Sequence, residues 1–473
     1  MDGRNGILSS VREAHVSASA AGGVLFLAAV AMLAVALAVT PSPARASIGD
    51  GTATPTWTAK VSGDGVSSES AYDVAIGSDG AVYVCGVQGD PGAGTELTLA
   101  KFVGGALAWP IATYTPSGTV GARGDGLALG PDGVVYTTGM ENSGTPDLVL
   151  VKWSAKTGKR LWVRRYRAPA GTSARGWRAG VDRRGNVTVM GSIDKTIGAD
   201  GWIVRSWTPS GVLRWTWRSD FAHDSVPTGF IVAHDGSVYV SGSVGAMIDF
   251  AATTVRLSTS GKRLWTRSYK GPEGLSAQAN GLTARPGGGV YVAGSAVTSA
   301  RKSDGMVLSY TAAGALAVFA LDSAAGGATL ETFEALSVTS DGSVVAAGST
   351  SGIDSLIDPR YVLYGSNGIA KSSNTYPSAA GNDDFGMVAT DAFGGFYLAG
   401  TTTPTADDRR LLVVRRSTVT GGGWWTCVHG TGGADSHYWP GAIAVRGTTA
   451  VIAGSLDTGT ATGRDQLVLG FVY

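Results

Sequence analysis

One phrase recurs eight times along these 473 residues, and it limits the fold more than any other feature. It consists of a short apolar strand, a turn carrying Asp-Gly or a stand-in, and a second strand that ends in glycine. DVAIGSDGAVYVCG (73–86) and FIVAHDGSVYVSG (230–242) are two copies. The closing glycines are Gly86, Gly139, Gly191, Gly242, Gly294, Gly348, Gly400 and Gly454, spaced by 51 to 54 residues. Asp-Gly between alternating apolar residues marks a tight hairpin, because the turn needs positive φ. Each copy continues with an apolar, β-branched segment such as LVLVKW (148–153). A Trp- or Tyr-bearing segment after a glycine turn typically follows, as in TGKRLWVRRY (157–166). Four strands in about 52 residues is the period of a β-propeller blade. A helical repeat would show a 3.6-residue apolar period, and none is present.

Composition removes the alternatives. The 71 glycines would destabilise helix interiors by about 1 kcal/mol each, and they lack the every-third-residue spacing of collagen. With 44% hydrophobic and 15% charged residues the chain is not a disordered one. The expected fold is all-β: an eight-bladed propeller of four-stranded antiparallel blades over 47–473. The opening segment TPTWTAKVSG (54–63) reads as a Trp-bearing fourth strand without its first three, and DQLVLGFVY (465–473) as a third strand without its fourth. The N-terminal strand is therefore expected to complete the last blade and close the ring, which would remove the open sheet edge.

Residues 1–46 read as an address. Arg4 and Arg12 precede an apolar run from Val24 to Val39, followed by Pro41, Pro43 and the small-x-small triplet Ala44-Arg45-Ala46. That order is the plan of a secretory signal peptide cleaved before Ser47, with an uncleaved membrane anchor as the alternative. Removing 1–46 takes away three Arg, one Asp and one Glu, leaving 34 basic and 34 acidic residues. A neutral domain is no general polyanion binder, so no nucleic-acid partner is expected. Cys85 and Cys427 fall on different blades and are expected to be buried, unpaired thiols.

GWIVRSWTPSGVLRWTW (201–217), DRRGNVTVMG (182–191) and DGMVLSYTAAG (304–314) together resemble the bacterial β-propeller repeat called SBBP. KWSAKTGKRLW (152–162) and LSTSGKRLW (257–265) also resemble the repeat of quinoprotein, or PQQ-like, propellers, which dock blades with a Trp. The resemblance spans 54–473 and implies an exported or cell-surface bacterial protein. These families include scaffolds, surface proteins and enzymes, so the resemblance does not fix an activity. Quinoprotein alcohol dehydrogenases carry adjacent cysteines, and this chain has none, so no cofactor is expected.

Candidate site residues are positions that differ while the scaffold repeats. Eight residues before each hairpin turn position stand Tyr72, Asp125, Trp177, Thr228, Asn280, Glu334, Gly386 and Pro440, with Phe333 and Trp439 beside them. They are expected in the loops entering the innermost strands, around the central channel. Aromatics, amides and carboxylates in one ring suit a glycan or peptide site, although such loops also serve merely to connect blades. Asp125 and Glu334 fall on opposite sides of the ring, too far apart to act as a carboxylate pair. Residues 152–184 hold eleven Lys or Arg against the single acid Asp182, and Arg164, Arg165 and Arg167 are candidates for a basic surface. A solvated outer strand explains the same charges. CVHGTGGADSH (427–437) matches no standard metal spacing and reads as a loop, so no metal is expected. The leading reading is a monomeric, exported, non-catalytic binding or scaffold module, secreted or held at the cell surface. Its partner would be a glycan, cell-wall polymer or protein. A secreted polysaccharide-active or quinoprotein-type enzyme, and a purely architectural repeat, are the alternatives.

Overall fold

The structure is a computed structural model. It describes residues 37–41, 51–61, 69–89, 94–116, 121–131, 133–142, 144–195, 200–246, 249–299, 302–322, 329–352, 356–376, 382–405, 408–418, 425–430, 437–457 and 464–472. The chain is all-β apart from one short 3-10 turn at Pro272–Gly274 among the described residues.

Each hairpin phrase forms the first two strands of an antiparallel unit. In the third unit Thr172–Val181, Val187–Lys195, Gly201–Trp207 and Leu213–Arg218 pair in chain order. The second and fourth units follow the same order. The turn carboxylates behave as the sequence predicts: Asp79, Asp235 and Asp341 each accept from the backbone N–H two residues on, at 2.8–3.1 Å. Asp132 lies outside the described residues. The closing glycines are required by space. A Cβ at Gly86, Gly139 or Gly191 would run into the carbonyl oxygen of Ser70, Arg123 or Arg175 on the innermost strand.

The units bury their faces against one another. Tyr83, Cys85 and Leu99 of the first unit share a cluster with Val135, Val149 and Trp153 of the second. The same kind of cluster joins each later pair. One cluster holds Val451, Ala453 and Val468 of the last unit with Val74, Val82 and Phe102 of the first. The innermost strands contact one another in succession, including His437–Arg446 against Ser70–Ile76. Four-stranded sheets stacked face to face with their first strands innermost make a β-propeller.

The segment near the N-terminus laces the last two units together. Trp57–Val61 pairs antiparallel with Arg464–Val472, from Trp57 opposite Gly470 to Val61 opposite Gln466. Gly51–Thr52 runs parallel to Trp425–His429 of the seventh unit. Leu37–Pro41 lies antiparallel on the outer side of Trp57–Val61. The other residues of the expected leader, with its basic flank and the Ala44-Arg45-Ala46 triplet, lie outside the described residues. Cys85 and Cys427 are buried and free. Burial raises both thiols, Cys427 to about 12, so neither is a ready thiolate.

Candidate functional site

The positions counted back from the hairpin turns have a common structural meaning. In seven units the ladder between the first two strands shifts register and leaves one residue unpaired: Tyr72, Asp125, Trp177, Thr228, Asn280, Glu334 and Gly441. Each is a β-bulge inside the innermost strand, a device that re-aims side chains. The first six of these and Gly386 are the residues singled out from sequence, but those six sit within the strand, not in a loop before it. Gly386 directly precedes the strand Met387–Thr390. In the eighth unit the bulge is Gly441, and Pro440 is paired with Gly454. The eighth hairpin closes on a two-residue turn after Arg446, which moves the count by one.

Units one to three carry a ladder of rings and charges. The Arg123 guanidinium lies over the Tyr72 ring at 4.3 Å, and its Nε donates to Asp125 at 2.6 Å. Arg175 grips Asp125 with two bonds of 2.5 and 2.7 Å and lies 3.7 Å over the Trp177 ring. Trp177 Nε1 donates to Ser192 at 3.1 Å. Asp125 is 3% exposed, so this paired carboxylate fixes two guanidiniums in one geometry. Arg178, one residue past the bulge, is exposed and donates to two backbone carbonyls, of Trp177 at 3.1 Å and Asp125 at 3.4 Å. Asp73 accepts from the backbone N–H of Leu127 at 2.8 Å. Burial pushes the Asp73 carboxyl up against the opposing pull of Arg178, so Arg178 reaches the neighbourhood of a residue two units away.

The opposite side is acidic. Burial, and then the nearby Asp384, push the Glu334 carboxyl up to about 7, while a bond from Thr332 at 3.2 Å opposes the rise. Glu334 is half-buried, so it keeps contact with solvent although protein surrounds it closely. Asp384 is raised as well, by burial first, with Arg409 opposing and Asp383 adding. Asn280 donates to Thr332 at 3.0 Å and to the Phe333 carbonyl at 3.2 Å, and Thr228 donates to the Ala279 carbonyl at 2.7 Å. These two bulge residues fasten neighbouring innermost strands.

Several sequence candidates take other roles. Phe333 is 1% exposed, packs edge-on to Tyr364 and presses on Gly305, so it is core and offers no ligand surface. Trp439 is half-buried between the guanidiniums of Arg409 at 4.7 Å and Arg464 at 5.7 Å. Arg164 donates to the Gly211 carbonyl at 2.6 Å, and Arg165 is bound to Glu141 and to Tyr114, each at 2.5 Å. Both serve packing between units; Arg167 remains exposed. In the 427–437 stretch, residues 431–436 lie outside the description, and no group of three or more metal-ligating side chains occurs among the described residues.

Sequence reasoning missed Arg123, Arg175, Arg178 and Asp384. It sampled one position per repeat, whereas the bulge turns its neighbours toward the same space. A scan two residues before and one after each position counted back from a hairpin would have found them.

No family model matches the chain, and no curated protein matches its sequence. Among solved structures it is similar to a europium-containing methanol dehydrogenase, with 11% identity over 92% of this chain and 93% of that one and a TM-score of 0.49. It is also similar to quinohemoprotein alcohol dehydrogenase from Comamonas testosteroni (14%, 86% and 75%, TM-score 0.47). The polysaccharide lyase Uly1 is a third (12%, 78% and 93%, TM-score 0.45). Likeness at this level says nothing of activity, and the propeller assignment rests on the sheet topology.

Proposed function

We propose that this chain is an exported binding propeller, of the SBBP type, whose axial ring of bulge residues holds a glycan or cell-wall polymer. In this reading it is an eight-bladed ring closed by the N-terminal strand, secreted or kept at the cell surface behind a signal peptide. The pairing of Trp57–Val61 with Arg464–Val472 and the cluster shared by the last and first units support closure. The observation that carries the binding role is the ladder from Tyr72 through Arg123, Asp125 and Arg175 to Trp177. Two half-buried rings and their guanidiniums are held rigid by one buried carboxylate, a preorganised surface for stacking and polar contacts. Co-sedimentation of the purified protein with isolated cell wall and insoluble glycans tests the reading. Wild type should pellet, and a folded Trp177→Ala variant should lose at least tenfold in affinity. Equal binding by both would place the site elsewhere.

Glu334 and Asp384 favour a second reading, a polysaccharide-active enzyme. Two carboxyls, Glu334 on an innermost strand and Asp384 in the segment leading into the next, feel each other's charge; with one titrating near neutrality, the pair could serve as general acid and base. Product release from a panel of polysaccharides, abolished in Glu334→Gln, would establish it; no turnover leaves the binding role.

A further inference from the structure

We infer that the ligand of the axial ring is an acidic polysaccharide, and that Arg178 seats its anionic group. The inference rests on the binding role proposed above and names the chemical class. Its basis is an imbalance of donors on one wall. Arg123, Arg175 and Arg178 converge there, and Asp125 is bonded to the first two. Among the described residues Arg178 bonds to the carbonyl oxygens of Trp177 and Asp125, through one terminal nitrogen, and is exposed. A guanidinium has five N–H donors in a planar fork, so those two carbonyls leave several of them for other acceptors. The other acid on this wall, Asp73, lies partly buried on a neighbouring innermost strand, accepts from the N–H of Leu127 and of its own neighbour Val74, and feels the charge of Arg178, so three guanidiniums face two carboxyls there. The fork geometry matches a carboxylate or sulfate, which can take two parallel bonds.

The surroundings favour a sugar over a peptide. Tyr72 and Trp177 are half-buried rings that each carry a guanidinium on one face, and Trp177 also packs against the cluster of Met190 and Trp202, so their exposed parts are what the apolar face of a pyranose ring would meet. Neutral hydrogen-bonding side chains, Thr228, Asn280 and Thr332, continue the ring beyond the cationic wall.

The test measures binding of the purified protein to polygalacturonate, to neutral dextran of matched length and to poly-glutamate, at low and high salt. The expected result is at least tenfold tighter binding of polygalacturonate than of either comparison polymer, weakening as salt rises. Arg178→Gln should lose roughly tenfold or more for polygalacturonate, with an unchanged melting temperature, and Arg178→Lys should restore part of it. A change of less than twofold in Arg178→Gln would overturn the seat. Equal binding of dextran, lost in Trp177→Ala, would overturn the anion inference while leaving the binding ring intact. Poly-glutamate binding as tightly would replace the glycan by an acidic protein. No binding of any polymer, together with no effect of Trp177→Ala on cell-wall sedimentation, would remove the ring as a site altogether.

Discussion

The fourth strands of the first four units and of the last unit are fastened differently from those of units five and six. In the first group a tryptophan reaches onto the next unit's turn between strands three and four. Trp57 lies on Gly105, Trp109 on Gly158, Trp215 on Gly261 and Trp265 on Gly314. Trp162, Trp215 and Trp265 also donate through Nε1 to the carbonyls of Pro209, Thr259 and Ala312, at 2.9–3.2 Å. Four residues past the turn glycine, where Trp162, Trp215 and Trp265 stand, unit five has Val318 and unit six has Ser372. There polar clamps of a kind that also joins the first three units, Arg165 to Tyr114 and Arg218 to Tyr166, act without a docked tryptophan. Arg360 of unit six bonds Asp322 of unit five at 2.7 and 3.1 Å and lies 3.4 Å from Glu331. Next, Arg416 donates to the Tyr376 hydroxyl at 2.6 Å. Trp425 in unit seven stacks on Phe471 at 5.0 Å instead of covering a glycine turn. A single repeat thus tolerates two kinds of joint, one with a periodic docked tryptophan and one held by polar clamps without it.

The largest effect should come from removing a docked ring. Trp265→Ala strips a buried side chain that touches Tyr239 and Tyr310, and should cost about 3–5 kcal/mol in urea unfolding. Ser372→Ala, on the exposed outer strand of unit six, should stay within about 0.5 kcal/mol. Comparable losses at both sites would break the distinction.

A smaller contrast separates docking from backbone strain. Gly314 (φ 81°) and Gly342 (φ 80°) share the left-handed conformation, but a Cβ at Gly314 would lie 2.9 Å from the Trp265 ring and one at Gly342 would meet open space. Gly342→Ala should cost about 1 kcal/mol from conformation alone, and Gly314→Ala about twice that.

The acidic wall supplies a pH test of similar size. The native state holds a proton on Glu334 up to about pH 7, while the unfolded chain loses it near its ordinary value of 4.5. Between those values the native state binds more protons, so this group's contribution to stability falls as pH rises. Glu334→Gln should match wild type near pH 4 and exceed it by about 1–2 kcal/mol at pH 8. A pH-independent difference would show that Glu334 is not shifted.

The smallest effect is local. Backbone amides of Ala370–Thr375 should exchange with deuterium faster than those of Arg263–Tyr269, because the former strand lacks a docked ring and is almost wholly exposed. Equal protection would mean that the polar clamps hold as firmly as the tryptophans.

Whatever repeats within one unit is legible in the residues themselves. The hairpins and closing glycines recur in all eight copies, and the bulges of the first six units at a constant distance from them, because the same backbone crowding is met there. What passes between copies depends on how the units pack. Arg175 meets Asp125 across 50 residues, Arg360 meets Asp322 across 38, and Glu334 feels Asp384. Nothing periodic marks those partners, since each pair occurs once and depends on how two neighbouring strands are offset. Phe333 and Glu334 show the same division: they are adjacent in sequence, yet strand alternation sends one into the core and the bulge leaves the other at the axis.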